Sequence, residues 1–198
     1  MLFCLLGCAA GSVSGFHVGV GSADVTGPVQ DVVMMGMANQ NQKTGGIHMR
    51  LRARAYVFAD DAAVAAGDAP SPGRMAFVSI DTAMAGYVMR KRVLAKLDDA
   101  LGAGVYTDAN LCISATHSHS GPSGFLQHTI FQFAGSGWVP ATLNAMVDGA
   151  SHSTPCQLGT LATSPLPDPA TERAPRVMRP QARRTLSSLP IARWPRPL

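Results

Sequence analysis

Three consecutive segments constrain the fold of this chain more than anything else in it. "RMAFVSI" (74–80) is a short apolar run, "VMRKRVLAKLDDAL" (88–101) follows it, and "NLCISA" (110–115) is a second apolar run. In the middle segment Val93, Leu94, Leu97 and Leu101 fall on one helical stripe, with Arg90, Lys91, Lys96 and Asp98 off it. Gly102 and Gly104 then end the helix. Strand, helix and strand in this order make a βαβ unit, with parallel strands and a right-handed crossover. The expected fold class is therefore α/β: a mixed sheet with at least one such unit. Both runs are apolar almost throughout, so both read as strands buried on two faces.

The flanking sequence supports a larger sheet. "FHVGVGSADVTGP" (16–28) reads as a short strand entering a Gly-Pro turn. In "RLRARAYVFAD" (50–60), Leu51, Ala53 and Ala55 alternate with Arg50, Arg52 and Arg54, the pattern of a half-buried strand with a solvated basic face. The Ala/Gly/Pro-rich stretch 59–73 reads as a loop. The composition changes at Ala150: residues 151–198 carry nine of the 14 prolines and a single glycine, Gly159. Proline removes backbone donors and breaks both helix and sheet ladders, so 151–198 is expected to be a disordered Pro/Arg-rich tail.

The charge follows the same boundary. Residues 1–150 hold nine Lys/Arg against ten Asp, whereas the tail holds seven Arg against Asp168 and Glu172. The pI near 9.1 thus belongs to the tail. A basic tail without interleaved aromatics is no nucleic-acid groove, and no nucleic-acid partner is expected. The opening "MLFCLLGCAAGSVSG" has a short apolar core followed by small residues, as in a secretory signal cut near Gly15. On that reading the chain is expected in the secretory pathway, extracellular or membrane-associated. Cys4 and Cys8 would leave with the signal. Cys112, inside an apolar run, reads as a buried inert thiol; its pairing with Cys156 stays open.

The chemistry concentrates in "ISATHSHSGPSG" (113–124), just past the second strand. In an extended segment, residues two apart point to one side, and two neutral imidazoles on one side are common zinc ligands. His117 and His119 are thus metal-site candidates, with Thr116, Ser118 and Ser120 available to orient the rings. An isolated His-x-His is a weak signal, since zinc needs three or four ligands. From the residues alone, a hydrated Gly-Pro turn with solvent-facing histidines is the more ordinary reading. Asp81 lies beyond the first strand of the βαβ unit, where open α/β sheets place their sites. It could orient a ligating histidine, position substrate, or simply cap the next helical region. His48 has no clear partner, and Met34, Met35 and Met37 could line a lipid pocket or fill a core. There is no Walker loop, Rossmann glycine fingerprint, Cys-x-x-Cys or Gly-x-Ser-x-Gly elbow.

Four segments taken in order carry a resemblance. They are "VGVGSADVTGPVQDVVMMGMANQNQKTGGIHMRLRARAYVF", "FVSIDTAMAGYVMRKRVLAKL", "ANLCISATHSHSGPSGFLQHTIFQFAGSGW" and "LNAMVDGA". Together they resemble the amino-terminal part of the neutral ceramidase catalytic domain, over roughly Phe16 to Ala150. The resemblance implies a zinc-dependent amidohydrolase in a mixed α/β domain, cleaving the N-acyl amide of ceramide into sphingosine and a fatty acid. It assigns His117 to the metal and gives His119 a catalytic role in the same active site. It implies one zinc ion, an apolar pocket for the lipid chains, and ceramide and other N-acylsphingoid lipids as partners, with a membrane surface as a further candidate partner. The family's second zinc-binding histidine, its glutamate and tyrosine ligands and its active-site serine segment have no counterpart in these 198 residues. The expectation is a truncated catalytic domain with an incomplete zinc site. Two further readings are a non-catalytic lipid-binding or regulatory isoform and another His-x-His metallohydrolase.

Overall fold

The computed structural model describes residues 16–154 and 162–163. In chain order the elements are β1 (Phe16–Asp24), β2 (Gln30–Val33), β3 (Lys43–Gly45), β4 (Arg52–Asp60), α1 (Asp61–Ala65), β5 (Arg74–Ile80), α2 (Tyr87–Leu101), β6 (Leu111–Ala115), α3 (Thr129–Ala134), α4 (Pro140–Ser153) and β7 (Ala162–Thr163). Five strands form one sheet in the order β6-β5-β4-β1-β7, and β2 pairs with β3 in a separate two-stranded ribbon. β5 and β6 are parallel, with Ile80 opposite Ala115, while β1, β4 and β5 are joined antiparallel. The sheet is mixed and the βαβ unit is β5-α2-β6, as the apolar runs and the helical stripe require.

One face of the sheet makes the core. Ala53, Ala55, Val57, Ala76, Val78 and Ile80 are fully buried there, clustered with Met89, Val93 and Leu97 of α2 and with Leu143, Met146 and Ala150 of α4. Small alanines on β4 let the helices approach the sheet closely. α4 starts with Pro140 in its first turn, where a missing N–H costs nothing. Gly149 lets α4 cross β1: a Cβ there would meet the Asp24 carbonyl oxygen at 2.4 Å.

Four expectations are revised. The stretch after β4 is not all loop: the Asp60 side chain accepts from the Ala63 N–H and starts the short helix α1. β5 and β6 are not buried on both faces. Met75 is 47% exposed, and β6 is an edge strand whose Cys112 and Ser114 face outward. Cys112 is therefore an exposed free thiol rather than a buried one. Finally, α4 continues through Ala150 to Ser153, with Ser151, Ser153 and Thr154 buried. Most of the expected disordered tail, the signal segment 1–15 and Cys156 lie outside the described residues.

Candidate metal centre

The site is built at the carboxyl ends of the parallel pair β5 and β6. Beyond the strands, the ladder continues in the backbone. The Thr116 N–H donates to the Ile80 carbonyl at 3.0 Å and the Ser118 N–H to the Thr82 carbonyl at 3.2 Å. Between them, His117 adopts φ 61°, a left-handed conformation that non-glycine residues rarely take. Such a backbone costs on the order of 1–3 kcal/mol and persists where the surroundings over-determine it. Here the two ladder bonds and the ring itself do so. His117 is thus not in the extended segment its spacing suggested.

The ring geometry follows from that turn. His117 Nδ1 lies 2.8 Å from the Ala83 carbonyl oxygen. A carbonyl only accepts, so Nδ1 carries the proton and Nε2 presents its lone pair. That lone pair faces His119 Nε2 at 3.2 Å, with the rings edge to face at 69°. Two nitrogens bound to one tetrahedral zinc, each at about 2.0–2.1 Å, would stand roughly 3.3 Å apart. The spacing therefore suits one ion held by His117 with His119 beside it, and the His117 Nδ1–carbonyl bond is the outer contact that commonly fixes a ligating histidine. Zinc takes three or four ligands, and among the described residues no group of three or more His, Cys, Asp or Glu is placed to hold a metal.

The 33–37 segment walls the site. Ser123 N–H donates to the Val33 carbonyl and Met35 N–H to the Gly121 carbonyl, with Met34 bridged to Pro122. His119 then lies directly over Gly36, where a Cβ would fall 2.6 Å from the ring. His119 Nδ1 meets the Met37 sulfur at 3.1 Å. The three methionines diverge in role: Met35 is core, Met37 touches His119, and Met34 lines a cleft. That cleft, about 350 Å³, is also lined by Ile47, Met49 and Leu51, with His48, Ser118 and Ser120 at its polar positions.

Asp81 braces the strand ends. Its carboxylate accepts from Arg54 Nη1 at 2.9 Å and from the Arg52 N–H at 3.0 Å. Burial alone would raise this carboxyl, but the Arg54 and Arg52 hydrogen bonds and the Thr116 hydroxyl hold it below its ordinary 3.8. Two of the three hydroxyls expected to orient the imidazoles are engaged elsewhere: Thr116 with Asp81, and Ser118, which accepts from the Ser120 N–H. The basic stripe on β4 is partly neutralised, since Arg54 pairs with Asp81 and Arg50 with Asp24 at 3.4 Å. Sequence reasoning missed Ala83 and Gly36, whose roles depend on contacts between distant segments.

The sequence profile of the neutral/alkaline non-lysosomal ceramidases, amino-terminal part, matches residues 16–166. The chain belongs to this family. The match runs past Ala150 into the Pro-rich stretch, further than the resemblance read from the motifs. Neutral ceramidase 3 of Arabidopsis thaliana is 40% identical over 153 residues, 77% of this chain and 20% of the relative. Neutral ceramidase of Pseudomonas aeruginosa is 39% identical over 138 residues, 70% of this chain and 19% of the relative. The crystal structure of a neutral ceramidase from Pseudomonas aeruginosa superposes with a TM-score of 0.69 at 36% identity, covering 77% of this chain and 23% of that one. A ceramidase complexed with C2 superposes at 0.68 and 36% identity, covering 76% and 22%. The chain thus spans about a fifth of the length of the ceramidases it matches.

Proposed function

We propose that this chain carries the amino-terminal corner of a zinc-dependent ceramidase site, acting on the N-acyl amide of ceramide and related N-acylsphingoid lipids. The observation that carries the reading is the convergence of the His117 and His119 Nε2 atoms at 3.2 Å, beside an apolar cleft, at the ends of parallel strands. Zinc, when bound, supplies Lewis-acid polarisation of the amide carbonyl. His117 would hold it through Nε2, with Nδ1 kept protonated by the Ala83 carbonyl. His119 would pass a proton to or from the reacting amide, since the leaving amine of such a cleavage needs one. Met34, Ile47 and Met49 would take an alkyl chain and exclude water from the amide end.

A second reading is favoured by one observation: the described residues supply two converging imidazoles and no third ligand placed to join them. On that reading the chain binds N-acylsphingoid lipid without cleaving it. Zinc-dependent release of fatty acid from a short-chain ceramide separates the two, with His117→Ala as the matched control. Turnover well above the control is the expected outcome of the hydrolase reading. Soluble, folded protein that binds the lipid with no turnover would overturn it in favour of the second.

A further inference from the structure

We infer that the rim of this site is a docking surface for an uncharged lipid bilayer, entered by Ile130 and Phe133 of α3. None of the α3 residues is buried, and Ile130 and Phe133 are 69% and 81% exposed. The helix is fastened to the site wall. The Gln40 amide donates to the Phe133 and Ala134 carbonyls at 3.2 and 3.3 Å, and three residues earlier Met37 touches His119. On the cleft side, Ile47 and Met49 are exposed as well, Met49 at 69%. Exposed large apolar side chains thus stand on α3 and on the cleft lining, and the segment between them, through Gln40 and Met37, reaches both α3 and His119.

The charge pattern selects the occupant. From Ala109 to Val147 the sequence has no Asp, Glu, Lys or Arg, and from Val32 to Met49 the single charged residue is the exposed Lys43, with Arg50 beyond Met49 paired to Asp24. A protein interface normally keeps a polar, charge-bearing rim around its apolar centre. The acyl region of a bilayer instead penalises charge and accepts Phe, Ile and Trp, and the half-exposed Trp138 lies four residues beyond α3. The sheet's open face offers the contrast: Val20 and Met75 are exposed there too, but Arg52 and Arg54 of β4 share that face.

This inference rests on the reading that the site handles an acyl amide carried in a membrane, so its test reads no turnover. The 198-residue chain is floated with phosphatidylcholine vesicles that contain no ceramide, at low and high salt. The chain should float, nearly independently of salt, because no ion pairs are formed. The I130S/F133S double variant should lose roughly tenfold or more of the bound fraction. A V20S/M75S variant, altered on the open sheet face, should float like the wild type. Failure of the wild type to float, flotation of I130S/F133S undiminished, or release by salt would each overturn the inference. So would a concentration-dependent dimer in solution that I130S/F133S abolishes, since a second copy would then be the occupant. Hydrolysis lost while flotation is kept would count against the hydrolase reading alone.

Discussion

The two faces of the five-stranded sheet are built from the same strands and end up in opposite environments. Toward α2 and α4, Ala55, Val57, Val78 and Ile80 are sealed from solvent. On the other face, Val20 is 61% exposed, and Tyr56 stands open beside Phe77, their ring centroids 6.3 Å apart. Two layers of secondary structure around one core are what a small domain needs, and β4, β5, α2 and α4 supply them. The histidine turn hangs from the ends of β5 and β6, anchored by the sealed face below it and braced from the open face by the Arg54–Asp81 pair. One sheet face thus supplies the core, while the other supplies only the charged brace at the strand ends.

The sharpest way to break that comparison is to cut into the sealed face. Ile80→Ala should lower unfolding stability by about 2–5 kcal/mol, because a fully buried side chain leaves a cavity next to α2 and α4. A urea midpoint that hardly moves would mean the helices do not seal this face. Asp81→Asn should have a smaller, pH-dependent effect. The carboxyl is held below its ordinary 3.8 in the folded chain, so its contribution is present above that value and fades as pH falls through the folded value. Thermal melts should therefore show the gap between wild type and Asp81→Asn closing below about pH 4. A gap that is the same at low and neutral pH would contradict the ion-pair account. Smallest of all, Met75→Ser on the open face should stay within about 0.5 kcal/mol. A loss of several kcal/mol there would show that something covers this face in solution.

Much of the framework was legible because its signals are local. The β5-α2-β6 unit follows from two apolar runs and one 3.6-residue stripe, and β4 from strict alternation of arginine and alanine. Two-sided burial was not legible for β5 and β6: Met75 and Phe77 are as apolar as Val78 and Ile80, and no local pattern says which pair the helices cover. α4 did carry a signal, Pro140 followed by Leu143, Met146, Val147 and Ala150 at helical spacing, but alanine, glycine and serine dilute it. At the site, the His-x-His pair announces itself, whereas its geometry does not. The left-handed His117, the Ala83 carbonyl 34 residues away and the Gly36 seat under His119 arise from the way three segments meet.

The central claim is that His117 holds the proposed ion and that His119 stands beside it in the same site. It is tested most directly by titrating the chain with zinc while following the ring signals of its six histidines by NMR. The His117 and His119 signals should respond together and at the lowest zinc concentration, ahead of His17, His48, His128 and His152. Zinc that moves His48 or any other histidine first, or that leaves the His117–His119 pair untouched, would contradict the account.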